Sequence, residues 1–162
     1  MKTKLLLLAL APFCMAEETI ITGTVQSKCV INVDTTGVYG NPTVDKLSTA
    51  VADGGVQPVI RYDVVAGNSY LARITTPLDF SSSPILNDVV NWTGSTSVKE
   101  VSDAAMSDYD TNKIEYNSTS EFDLHTAGSV WFKVDSTAEY GYGKALPSGT
   151  YTSIVQADCI AK

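Results

Sequence analysis

Apolar and polar residues alternate with a period of two through most of the chain. In TIITGTVQSKCVIN, Ile21, Val25, Cys29 and Ile31 fall on one face, and Thr22, Thr24, Gln26 and Lys28 fall on the other. That is the signature of a half-buried strand. The same alternation places Ile60, Tyr62 and Val64 together in PVIRYDVV, and Tyr70, Ala72 and Ile74 together in SYLARITT. It recurs with Val90 and Trp92 in VVNWTG, Ile114 and Tyr116 in NKIEYNST, and Val130, Phe132 and Val134 in SVWFKVDS. The last run, TYTSIVQADC, brings Tyr151, Val155, Ala157 and Cys159 into phase. Gly67 and Asn68, between the second and third runs, predict a hairpin turn.

About seven such runs, separated by Gly, Pro, Asn, Asp and Ser, predict an all-β protein: an immunoglobulin-like β-sandwich, edge-open in one version, with a β-barrel as the alternative. Helix is expected only as a short turn around Lys46 to Ala52 or Ser102 to Met106. DFSSSPI, with Pro77 and Pro84 at its flanks, reads as a loop. The acidic, polar stretch Glu100 to Asn112 reads as an exposed connection.

The first residues break this pattern. MKTKLLLLALAPFCMAEE opens with Lys2 and Lys4, runs apolar from Leu5 to Ala11, and reaches small residues before Glu17. This predicts a secretory signal peptide over residues 1–16 and a single β-sandwich domain over 17–162. The apolar run is far short of the ~20 residues that span a bilayer. Lipid attachment at Cys14 is the alternative. Past residue 16, all 18 acidic residues remain against nine Lys and Arg, a formal charge of −9. Scattered single cations within so acidic a chain argue against nucleic acid and anionic membrane surfaces as partners. The expected location is secreted or cell-surface, through the periplasm if the source is bacterial.

Loss of Cys14 with the signal leaves Cys29 and Cys159. In an oxidising compartment they are expected to form one disulfide joining the first and last strands, locking them together at a sheet edge; two free thiols are the alternative.

Catalytic chemistry is poorly signalled. The one histidine, His125, stands near a strand end in FDLHTAG, and no G-x-S-x-G accompanies it. No enzyme activity and no cofactor are expected. Asp108, Asp110 and Asn112 match the first half of a calcium loop, a weak metal candidate. Lys113 replaces the glycine that the sharp turn needs, and Thr119 replaces the closing Glu. The sequons at Asn91 and Asn117 are those expected by chance in a Ser- and Thr-rich chain.

The signal peptide, the early cysteine in TGTVQSKCVINV and the closing LPSGTYTSIVQA resemble bacterial pilin-like subunits of the spore coat protein U and archaic chaperone-usher pilin group. The resemblance covers the two ends of the chain. It implies an edge-open immunoglobulin-like subunit whose sheet is completed by a neighbour's N-terminal segment, here Glu17 to Gln26, presenting Ile21, Gly23 and Val25 along one face. Partners would then be further copies or related subunits, self-associating by β-strand addition. The second cysteine at Cys159 and the ending Ile160-Ala161-Lys162 depart from classical usher pilins, so use of a chaperone and usher does not follow. The expected function is a structural subunit of a fimbrium, adhesive surface or biofilm matrix. The alternative is a monomeric ligand- or carbohydrate-binding sandwich, with Tyr39, Trp92, Trp131, Tyr140 and Tyr142 as stacking candidates.

Overall fold

The computed structural model describes residue 22, residues 28–141 and residues 144–162. Ten strands are found among them: β1 (Cys29–Thr35), β2 (Gly40–Thr43), β3 (Lys46–Ser48), β4 (Val59–Val64), β5 (Tyr70–Thr75), β6 (Val90–Val101), β7 (Ile114–Tyr116), β8 (Thr119–Leu124), β9 (Gly128–Tyr140) and β10 (Gln156–Ala161). The helical elements include one turn of α1 (Tyr109–Asn112) and 3-10 turns at Val51–Asp53 and Ala104–Met106. None of these is long and apolar enough to cross a membrane.

All strand pairs are antiparallel, and they form two sheets. In the first, β9 is flanked along one side by β6; its other side pairs with β4 near its start and with β3 near its end. Outside these lie β1 on β4 and β2 on β3. The second sheet has the order β10-β5-β8-β7. Ile60, Tyr62 and Val64 of β4 and Val130, Phe132 and Val134 of β9 bury against Ala72 and Ile74 of β5 and Phe122 and Leu124 of β8. Phe132 joins the sheets, its ring 4.3 Å from Phe122 and 5.5 Å, edge-on, from Tyr62. The in-phase sets read from β4, β5 and β9 are therefore the core faces.

Partners differ from those the sequence predicts. Gly67 and Asn68 do not make a hairpin: β4 and β5 belong to opposite sheets, and the link between them is an arch over the end of the core. Alternation fixes which face of a strand is buried and is silent on which strand lies beside it. Asn68 takes the left-handed conformation, φ 60°, and donates its N–H to the Leu124 carbonyl. Gly67 lies so close to the adjacent 125–127 arch that a Cβ there would stand 2.3 Å from the His125 carbonyl oxygen.

Three further differences follow from burial. The 100–112 stretch is not a simple exposed connection, because its 3-10 turn and α1 press Met106 and Tyr109 into the core. β8, whose buried Ser120 breaks the apolar pattern, is absent from the predicted strands, while Ile114 and Tyr116 of β7 are exposed despite their phase. The predicted first strand begins, among the described residues, only at Cys29.

Candidate functional site: an open groove between two sheet edges

Among the described residues β1 pairs only with β4, and β10 only with β5, so each has one edge to which no described strand is paired. The two edges lie on the same side of the sandwich and pack against each other. The Lys28 carbonyl accepts the N–H of Val65, just past the end of β4, so by alternation Cys29, Ile31 and Val33 direct their backbone groups to the edge away from β4. The first and last strands are thus not hydrogen-bonded neighbours, as locking at one sheet edge would require. The Cys29–Cys159 disulfide joins them across the two layers, with Cα atoms 6.4 Å apart.

Away from that bridge the β1 side lifts from the core. Cys29, Ile31, Val155, Ala157 and Cys159 pack on the core, whereas Val33 is 73% exposed. Beyond it opens a cavity of about 600 Å³, with Leu47 and Ile60 in its floor, Val33 and Val38 on the β1 side, and Tyr151 and Val155 on the β10 side. Among the described residues no charged side chain lines it. A smaller cavity of about 270 Å³ shares Leu47, Gly149 and Tyr151 and continues the groove toward Val44 and Leu146.

Local sequence explains the opening. The β10 ladder begins at Gln156 opposite Thr75, and Pro77 follows directly on the β5 side, where its missing N–H ends the strand. Residues 153–155 therefore run free of β5. A bulge between Val33 and Thr35 turns the end of β1 outward. The 151–155 lip is held instead by the Ser82–Thr152 bridge and by Tyr39, whose hydroxyl lies 2.6 Å from Ser153 Oγ and 2.9 Å from Ser136 Oγ. Behind Tyr151, Phe80 packs edge-on with ring centroids 5.0 Å apart, and burial raises the Tyr151 phenol above its ordinary pKa.

The opposite side of the first sheet is covered. Asp110 of α1 accepts the Val98 N–H on both carboxylate oxygens at 3.0 Å, and Lys113 Nζ donates to the Thr96 carbonyl at 2.9 Å. Groups on the β6 edge that an incoming strand would use are thus occupied from within the chain.

Of the residues singled out in the sequence, Ile21, Gly23 and Val25 lie outside the described residues. Cys29 and Cys159 lie behind the closed end of the groove, past Ile31 and Ala157. Asp108, Asp110 and Asn112 sit on and beside one helical turn: Asp110 holds Val98, and Asp108 accepts from Asn112 Nδ2 at 2.8 Å and lies 3.0 Å from His125 Nε2. No cluster of three or more His, Cys, Asp or Glu side chains is placed to hold a metal among the described residues. His125 also meets Thr126 Oγ1 at 2.9 Å and packs edge-on against Tyr109, so it anchors α1 to the 125–127 arch. The stacking candidates form no common platform. Tyr39 is in the groove, Trp92 packs on Phe80, Trp131 lies under Arg61 on the outer face, Tyr140 accepts the Asn87 N–H, and Tyr142 is outside the described residues.

Comparison with protein-family models, with curated proteins and with solved structures finds no match to this chain.

Proposed function

We propose that the protein is a secreted, non-enzymatic structural subunit of pilin-like type, an immunoglobulin-like sandwich whose β1/β10 groove receives residues Glu17 to Gln26 of a second copy as an added strand. The observation that carries this is the groove itself, largely apolar, with no charged lining among the described residues, and lying between two edges to which no described strand is paired. Strand addition needs main-chain partners along an edge and pockets for alternate side chains, and the groove offers both. The candidate strand supplies Ile21 and Val25 two turns of the pleat apart, with Gly23 between them where the backbones come closest.

Chain connectivity favours a second copy over the protein's own segment. Whatever precedes Lys28 joins β1 at the bridged, closed end of the groove, so filling the groove in cis demands a full reversal immediately before Cys29. Insertion into a neighbour is a head-to-tail contact, which propagates as an open chain of subunits.

A second reading, a monomeric binder of a small apolar ligand, is supported by the cavity volume, which falls within the ~300 to 1,000 Å³ of small-molecule sites, and by the Tyr39 hydroxyl in its wall. Light scattering on the chain beginning at Glu17 separates the two. Strand addition gives concentration-dependent oligomers that vanish when residues 17–23 are deleted; a monomer at every concentration favours the binder.

A further inference from the structure

We infer that the Cys29–Cys159 bridge is the end-stop of the groove, setting the register and the polarity of whatever strand is added there. This rests on the strand-addition function proposed above. The bridge spans the two layers at one end, Ile31 and Ala157 next to it pack on the core, and the cavity opens beyond them, between the exposed Val33 and Val155. An extended backbone entering between β1 and the 151–155 lip therefore meets the layers packed at Ile31 and Ala157, which the bridge immediately behind holds shut.

Polarity follows from the same geometry. The C-terminal end of the added segment continues into a folded body, which cannot pass the bridge, so that end lies at the mouth near Tyr39 and Tyr151. Glu17, the free tip, points at the disulfide. The strand then runs parallel to β1 and antiparallel to the 151–155 lip. A side-chain pattern of period two tolerates slippage by two residues wherever nothing else fixes the register. Ile21 and Val25 are close to interchangeable in a smooth apolar groove, and a fixed stop removes that ambiguity.

Synthetic peptides test this on the protein spanning 17–162, at a dilution where light scattering finds monomer, with its disulfide intact and as the Cys29→Ser/Cys159→Ser variant. One peptide carries residues 17–28; a second adds Val-Thr-Val-Thr before Glu17, which lengthens an extended strand by about 13 Å. The bridged protein is expected to bind the two within twofold of each other, and the unbridged variant to prefer the longer by tenfold or more. A tenfold gain in the bridged protein overturns the end-stop. If the variant does not fold, a photoreactive residue at the Glu17 position of the shorter peptide, used on the bridged protein alone, decides. Labelling around Ile31 and Ala157 supports the inference, and labelling around Tyr39 and Tyr151 overturns it. Binding of neither peptide by either protein overturns strand addition itself, and the end-stop with it.

Discussion

The phenolic oxygen of Tyr62, in the interior of one sheet, donates to the carbonyl of Asp158, on the edge strand of the other, at 3.2 Å. It also lies 3.4 Å from the Arg73 carbonyl. One buried side chain thereby fastens β10 to the body of the sandwich from below, along the strand that forms a wall of the groove.

Tyr62→Phe is expected to lower unfolding free energy by about 0.5 to 1.5 kcal/mol, the net value of one hydrogen bond, since the paired Asp158 and Arg73 keep each other's N–H in the ladder. Its signature lies in alkali. Burial, with the Asp158 charge second, raises the Tyr62 phenol far above its ordinary range, so the unfolded chain ionises first. The stabilisation is complete below about pH 10, the unfolded phenol value, and falls as pH rises beyond it. Urea midpoints at pH 8 and pH 11 should drop more steeply for the wild type than for Tyr62→Phe.

The disulfide closes a loop with a sequence separation of 130 residues. Cys29→Ser/Cys159→Ser should lower stability by about 2 to 5 kcal/mol, read as a fall in urea midpoint with the β-sheet circular dichroism retained at low temperature. Mass spectrometry of unreduced protein from its native compartment checks the bridge directly; two free thiols would contradict it.

α1 and the residue after it cover the β6 edge through Asp110 and Lys113. Asp110→Ala should cost about 1.5 to 3 kcal/mol, the value of a hydrogen bond to a charged group. It should also promote self-association through the bared edge, seen as light scattering that residues 17–23 are not needed for. Thermal melts of the wild type in millimolar calcium and in chelator should coincide, because the Asp108 and Asp110 oxygens are already engaged by Asn112, His125 and Val98.

Gly67→Ala is expected to destabilise by about 2 kcal/mol or more, since its Cβ would meet the His125 carbonyl oxygen at 2.3 Å and one of the two arches must move. Equilibrium unfolding checks this. A neutral effect would show that the arches are not packed as described.

Much of the fold was legible because alternation is a direct consequence of pleat. The phases of β4, β5, β9 and β10 follow from Ile60, Ala72, Phe132 and Cys159, and two cysteines in a chain that carries a signal-like leader sufficed for the bridge. What could not be read is pairing. Gly67-Asn68 suits a hairpin or an arch equally, and only the burial of Tyr62 against the β5 and β10 backbones distinguishes them. The groove was hidden for the same reason, because it is made by where ladders stop. Pro77 is the nearest sequence signal, and it was legible only as a loop. The 100–112 stretch misled through composition: its charges cap a strand edge while Met106 and Tyr109, two apolar residues among them, fill the core.

Strand addition is tested most directly by removing residues 17–23 and returning them. Val33, 73% exposed on the groove lip, supplies the control: Val33→Arg should leave stability nearly unchanged and place a charge where the added strand must lie. By isothermal titration, the truncated protein should bind the 17–26 peptide, and its Val33→Arg variant should bind at least tenfold more weakly. A truncated protein that stays folded and binds no peptide, or one that binds equally well with Arg at position 33, would contradict insertion into this groove.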